Sequence, residues 1–268
     1  MKSLVRTRWM LLLLISCACW QCDGRRTYEV EADIVHIDSV DQIIDVHHSL
    51  VRPVVYRNIS GLEFLPLHQA KRKFISAILP SILLAKHQIH NRRKRVSELK
   101  QKPVWDNADS LFYIDMKKIY KARTIDDMMS RMISLPTSIV LAQAAIETGW
   151  GKSRFFVQAS NLFGIWSFDE NESRIAAGTT RNDKIIFLRS YDDMSRSIND
   201  YFEVLGRHNA YKSLRNATHK TSDPYALIVH LKNYSERKGW YTRQLKKVIR
   251  QNNLMQYDNY RIDPVYFE

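Results

Sequence analysis

The stretch LAQAAIETGWGKSRF, residues 141–155, sets one carboxylate, Glu147, at the end of a run that is otherwise apolar and small. At helical steps of three and four, Glu147 shares a face with Val140, Gln143, Ala144 and Trp150. An apolar wall disfavours ionisation, and so do the partially negative carbonyls at a helix C-terminus. Both effects raise a carboxyl pKa. A carboxylic acid that keeps its proton near neutral pH is what a glycosidase needs to protonate a leaving oxygen. Spacing alone favours a plainer role, an ion pair with Lys152 or Arg154, since structural pairs perturb pKa values too.

Other chemistries find less support. The sequence has no HExxH or cysteine–histidine zinc pattern, no GxSxG elbow and no P-loop. GWGKS at 149–153 ends in Gly-Lys-Ser but lacks the earlier glycine at P-loop spacing and follows a helix instead of a strand. His36, His47 and His48 have no second cluster of ligands at a useful spacing and read as surface histidines. No metal or cofactor is expected. Trp150, Phe163, Trp166 and Tyr234 have flat faces suited to the C–H faces of sugar rings. Core packing is the alternative for each, and the favoured one for Phe163.

Motif context reverses the odds on Glu147. LPTSIVLAQAAIETGWGKSRF with NLFGIW, then YDDMSRSINDYFEVL with HNAY, then LKNYSERKGWY, follow one another along the chain. Together they resemble the glucosaminidase domain of bacterial cell-wall hydrolases, glycoside hydrolase family 73. The likeness is nearest to its Bax-like members and also extends to the muramidase domain of the flagellar rod-capping protein. It covers roughly residues 63–255 and is most specific from Gln143 to Gly164.

The resemblance implies a lysozyme-like fold and a set of roles. Glu147 takes the place of the family's catalytic glutamate. Asn161, Leu162, Phe163 and Gly164 match its NLFG motif, which turns the chain toward the substrate cleft. Tyr234 matches the tyrosine placed near the reacting sugar, although Asn233 stands where many members have glycine. Trp240 and Tyr241 follow at the next aromatic position. Substrate contacts are thereby expected from Trp150, Asn161, Phe163, Gly164, Trp166 and Tyr241. Some members carry a second acid on a hairpin, and Asp169, Glu170, Glu172 and Asp183 are all in range here. Alternatively, the substrate's own 2-acetamido group attacks the anomeric carbon.

The elements that must position these residues are mostly helical. KRKFISAILPSILLAKHQIHNRRKRVSELK places Phe74, Ile78, Ile82 and Ile89 near one face, with Pro80 expected to kink it. Amphipathic helices follow from about Ser110 and over TIDDMMSRMI, where Asp126 and Asp127 occupy the first turn. Pro136 suits the start and Gly149 the end of a central helix carrying Glu147. NLFGIWSF and KIIFLRSY read as two strands of a hairpin separated by the polar DENESRIAAGTTRND. Three more helices follow, begun by Asp192 or Asp193, by Asp223-Pro224, and around YTRQLKKVIRQNNL. The predicted class is mainly α (α+β), a lysozyme-like helical domain with an inserted β-hairpin flap.

Composition sets the outer limits. The chain has 268 residues, of which 45% are hydrophobic, and only 8 glycines and 7 prolines, which excludes a disordered or collagen-like chain. Its net charge of +13 favours a polyanionic partner. NRRKR at 91–95 imitates a nucleic-acid patch but lies in a helical pattern and reads as a solvated basic face.

Residues 1–22 have the layout of an export leader: Lys2, Arg6 and Arg8 precede a short apolar run and small residues. Leu14-Ile15-Ser16-Cys17 resembles a lipobox, which would make Cys17 a lipidated membrane anchor; the competing reading is ordinary cleavage near Cys22. Residues 23–62 read as an N-terminal extension of short strands or loops, and 63–268 as the catalytic domain. All three cysteines, Cys17, Cys19 and Cys22, fall in the leader region, so the folded part has no disulfide. The expectation is an exported endo-β-N-acetylglucosaminidase of the periplasm or cell envelope, acting on peptidoglycan and not on nucleic acid. The alternative is a non-catalytic wall-binding or scaffold protein with the same fold.

Overall fold

A computed structural model describes residues 30–181 and 184–267 of the chain. The leader and Cys17 lie outside the described residues, as does Asp183. The segment before the first long helix makes three short strands: β1 (Asp33–His36), β2 (Leu50–Val51) and β3 (Val54–Arg57). β1 and β3 pair in parallel, Asp33 opposite Val54 through His36 opposite Arg57. Ile37, Val40, Ile43, Tyr56, Ile59 and Leu62 all enter the main core. The N-terminal extension is therefore built into the domain. His36, His47 and His48 are exposed on it, as their spacing suggests.

Helix α1 (Leu67–Gln101) has 35 residues, a rod of about 50 Å at 1.5 Å per residue. Every residue from Phe74 to Ala85 is buried, so this stretch lies within the molecule and not on its surface. Phe74, Ile78 and Ile82 face the main core, while Leu79, Leu83 and Leu84 face a smaller cluster with Val51, Val55 and Ile262. Pro80 removes one backbone hydrogen bond from the helix, yet α1 continues through it unbroken, enclosed on both sides.

The basic run at 91–95 corrects the sequence expectation of a solvated face. Arg92 pairs with Glu203 at 3.0 Å, and Arg93 donates to the carbonyls of Met129 and Met132 at 2.8 and 3.1 Å. Both are partly buried and join α1 to neighbouring helices; Lys94 and Arg95 remain exposed.

Polar caps start several of the helices that follow. Asp106 and Asp109 form a capping box on α2 (Asn107–Tyr120), and Thr124 caps α3 (Ile125–Arg131). Helix α4 (Thr137–Thr148) follows Pro136 and ends at Gly149, whose φ of 58° is the left-handed turn that glycine adopts freely. Thr137 through Ala145 are buried without a break, and Ala142, Ala144 and Ala145 let neighbouring elements pack close. Asp258 accepts from the Ser138 amide and hydroxyl at 2.7 and 2.8 Å, tying the start of α4 to the C-terminal segment.

Helix α5 (Arg154–Ala159) leads into the flap. Its sheet has three strands, β4 (Trp166–Ser167), β5 (Arg174–Arg181) and β6 (Lys184–Arg189), in the antiparallel order β4-β6-β5. The predicted two-stranded hairpin is thus corrected on two points. Asn161–Gly164 forms a turn, leaving β4 only two residues, and the polar stretch read as a connection supplies β5, the longest strand. Backbone pairing with β6 decides this, not apolar alternation. A register irregularity between Ala176 and Thr180 contains Gly178, at φ 77°.

The chain then forms α6 (Met194–Arg207) capped by Asp193, α7 (Lys212–Thr218), α8 (Pro224–Ile228), a 3-10 turn over Val229–Tyr234, and α9 (Lys238–Gln251). The last strand, β7 (Arg261–Ile262), pairs in parallel with β2, and Val30 bridges to Phe267. Both ends of the described chain are thereby held together beside α1.

Candidate active site

Glu147 occupies the penultimate position of α4, and the sequence around it anchors that helix end. The amide of Trp150 returns to the Ala145 carbonyl at 3.0 Å, and the amides of Lys152 and Ser153 to the Thr148 carbonyl at 2.9 Å each. The Thr148 hydroxyl donates to the Ala144 carbonyl at 2.6 Å and accepts from the Gly151 amide at 2.9 Å. Gly151 is required twice over. Its φ is 82°, and a β-carbon there would stand 2.5 Å from Leu62 and 2.9 Å from Phe74. This close approach seats the GWG turn on the core.

The Glu147 side chain is exposed, yet protein atoms crowd it on several sides. These observations are compatible on a concave surface: water reaches the carboxylate but cannot surround it. Partial desolvation raises its pKa above the ordinary carboxyl value, and a hydrogen bond from the Tyr241 hydroxyl opposes the rise. The cation pairing allowed by spacing is not formed with Arg154. That guanidinium donates to the Ala176 carbonyl at 2.8 Å and lies over the Phe155 ring, securing β5 to α5.

Four tyrosines face Glu147. Tyr201 comes from α6, Tyr211 from the turn before α7, Tyr234 from the 3-10 turn, and Tyr241 from α9. Burial pushes all four phenols up, to about 12 for Tyr211, and proximity to the Glu147 carboxylate contributes in each case. Their rings form one cluster. Tyr234 stacks on Tyr241 with centroids 5.6 Å apart, Phe163 stacks on Tyr201 at 4.1 Å, and Tyr211 lies 6.3 Å from Tyr234.

Hydrogen bonds fix the directions of these groups. The Tyr201 hydroxyl donates to Gln143 Oε1, and Gln143 Nε2 donates to the Tyr241 hydroxyl at 3.0 Å. The Tyr234 hydroxyl donates to the Phe163 carbonyl at 3.0 Å. That carbonyl belongs to the Asn161–Gly164 turn, which Asn161 closes with its side chain. Asn161 Oδ1 accepts from the Phe163 and Ile165 amides, and Nδ2 donates to the Ile165 and Arg189 carbonyls at 3.1 and 2.9 Å. Gly164, at φ 64° with open space around it, completes the turn.

The residues expected to touch substrate therefore fall into two groups. Asn161, Phe163 and Tyr241 are buried and hold the site from behind. Gly164, Trp150 and Trp166 keep accessible surface. Trp150 packs edge-on against Phe74 at 5.7 Å with Lys71 over its ring at 4.8 Å. Trp166 is exposed on the flap beside Phe168, centroids 6.1 Å apart. In the sequence Gln143 appears only as a neighbour of Glu147 on one helix face, and Tyr201 and Tyr211 only within motifs; a polar glutamine amid an apolar run, one turn before Glu147, is the signal the sequence offers.

Among the described residues, the flap acids Asp169, Glu170 and Glu172 have partners on the flap. Asp169 accepts from the amide and side chain of Asn171, Glu170 reaches Arg174 at 3.7 Å, and Glu172 pairs with Arg189 at 3.0 Å. Arg189 also binds Asp200 at 2.6 Å, and Asp200 in turn accepts from Arg207 and Tyr191. This network fixes the flap base to α6. Among the described residues, no group of three histidine, cysteine or carboxylate side chains is arranged to hold a metal ion.

Comparison with known proteins bears on the same residues. Residues 123–254 match the model of the glucosaminidase family, described as mannosyl-glycoprotein endo-beta-N-acetylglucosaminidase. The chain is 25% identical over 196 residues to protein bax of Escherichia coli, covering 68% of this chain and 69% of bax. It is 29% identical over 135 residues to the peptidoglycan hydrolase FlgJ of Pseudomonas aeruginosa, covering 44% of this chain and 32% of FlgJ. The crystal structure of the catalytic domain of the autolysin Auto from Listeria monocytogenes aligns with 74% of this chain and 90% of that domain, at 18% identity and a TM-score of 0.45. The family match begins just before α3 and ends just after α9, so it contains Glu147, the Asn161–Gly164 turn and all four tyrosines. Residues 123–254 thus carry a domain that matches the glucosaminidase family, and within it lie Glu147 and the groups around it.

Proposed function

We propose that the protein is an exported endo-β-N-acetylglucosaminidase that hydrolyses β-1,4 bonds in peptidoglycan glycan strands, with Glu147 as general acid. The observation that carries this reading is the state of Glu147: reachable by solvent, raised in pKa by partial desolvation, and faced by neutral tyrosines. Such a group delivers a proton to a leaving oxygen and takes one back from water afterwards. FlgJ, one relative, is a peptidoglycan hydrolase by name. That supports the choice of polymer and a place in the cell envelope or periplasm. The leader over residues 1–22 and the lipid anchor at Cys17 rest on the layout of the sequence alone. The net charge of +13 would help hold a wall polymer bearing peptide carboxylates, an attraction that added salt weakens.

For the second chemical role we favour the substrate's 2-acetamido oxygen, which would attack the anomeric carbon as Glu147 protonates the leaving group. Asp169, Glu170 and Glu172 already have partners on the flap, which speaks against their acting on the sugar. The Tyr234 hydroxyl gives its hydrogen to the Phe163 carbonyl, so its oxygen is left to accept, as the acetamido N–H requires. Trp166 and Trp150 would offer faces to neighbouring sugars. The stereochemistry of fresh product tests this: the assisted route retains the β anomer, and an initially α product overturns it. A wall-binding scaffold without catalysis would instead co-sediment with peptidoglycan and release nothing.

A further inference from the structure

Gln143 is fully buried on α4, in the stretch from Thr137 through Ala145 that is buried without a break, and both ends of its amide are engaged. A buried amide in such a place is costly unless satisfied, and its partners here are two tyrosines of the catalytic cluster. With Oε1 toward Tyr201 and Nε2 toward Tyr241, one hydrogen pattern follows. Gln143 Oε1 has no hydrogen, so Tyr201 must donate to it. Nε2 has no lone pair to offer, so it must donate to the Tyr241 oxygen. The single Tyr241 hydrogen is thereby turned away from Gln143 and left for the neighbouring Glu147 carboxylate.

From this geometry we infer that Gln143 is a positioning residue for catalysis: it fixes the Tyr241 hydroxyl as a donor to Glu147, and Tyr201 fixes Gln143. The inference rests on the general-acid reading of Glu147. A donor to a carboxylate stabilises its charged form, so the relay opposes the desolvation of the site. Burial favours the protonated form of Glu147, and Tyr241 opposes that shift. The titratable groups facing Glu147 are Tyr201, Tyr211, Tyr234 and Tyr241, and all stay neutral through the working range because burial raises each one. The hydrogen bond itself, and not the titration of a neighbour, is thus the adjustable quantity.

The test is the alkaline limb of the kcat/KM profile on peptidoglycan, with thermal melting as a control for folding. Tyr241→Phe removes the donor and should move the limb up by on the order of one pH unit, the size expected for a hydrogen bond to a charged group. Gln143→Leu frees the Tyr241 hydroxyl and should move the limb in the same direction by less. The double variant should match Tyr241→Phe alone, because Gln143 acts only through Tyr241. An unmoved limb in Gln143→Leu, or shifts that sum in the double variant, overturns the inference. Should Gln143→Leu not fold, Tyr201→Phe poses the same question. Its upward shift must be present in the wild-type background and absent beside Tyr241→Phe, and a shift in both or neither overturns the proposal. Failure of the general-acid reading would appear separately, as full activity in Glu147→Gln.

Discussion

At the scale of single residues, the proposed chemistry rests on Glu147 and the groups around it. Glu147→Gln keeps the shape of the side chain and removes the transferable proton, so turnover should fall by about a hundredfold or more with no change in circular dichroism. The same variant carries a stability signature. Desolvation raises the Glu147 pKa in the folded state, with Tyr241 only partly opposing it. The native form therefore favours the protonated acid, and its contribution is full below the unfolded carboxyl pKa and lost as pH rises through the folded one. Glu147→Gln should raise the melting temperature relative to wild type more at pH 7 than at pH 4; a difference of the opposite sign would refute the shift. Glu147 and the NLFG turn were legible in the sequence because their motif is local. Gln143 with Tyr201 and Tyr241 was not, since those hydrogen bonds join residues 58 and 98 positions apart.

At the scale of elements, two joints hold α4 and the flap in place. The first is the GWG turn after α4. Gly149 and Gly151 both have positive φ, but only Gly151 lacks room for a β-carbon. Gly149→Ala should cost roughly 1 kcal/mol, from conformation alone, and Gly151→Ala more, by roughly a further 1–3 kcal/mol of overpacking against Leu62 and Phe74. Denaturant midpoints that rank the two variants the other way would contradict the packing described. The second joint is Asp200 on α6, held by Arg189, Arg207 and Tyr191. Burial alone would raise its pKa, but Tyr191 and the two guanidiniums outweigh it and leave it lowered. That stability is present above the unfolded carboxyl pKa and lost as pH falls through the folded one. Asp200→Asn should cost about 3 kcal/mol at pH 7 and progressively less in acid, as read from urea melts. The helices themselves were readable from capping residues and apolar spacing. The flap was misread because β5 is set by pairing with β6, which the polar sequence RIAAGTTR does not advertise.

Across the whole molecule, the segment before α1 and the C-terminal strand complete the core around a helix too long and too apolar to stand alone. Leu62 lies under Gly151, Lys73 donates to the Ile43 carbonyl at 2.6 Å, and β2 pairs with β7. A chain begun at Glu63 should therefore lose its cooperative thermal transition, although the family match starts only at residue 123. A sharp transition near the wild-type temperature in that truncation would contradict the packing. The sequence pointed to short strands or loops here, but parallel pairing across residues 33–57 has no local signal by which to foresee the docking. The central claim, that Glu147 protonates a glycosidic oxygen of the wall polymer, is tested most directly by muropeptide analysis. Purified peptidoglycan is incubated with residues 23–268 as wild type and as Glu147→Gln, and reducing N-acetylglucosamine ends are counted. The account predicts new ends from the wild type and none above background from the variant, while release at the wild-type rate by Glu147→Gln would contradict it.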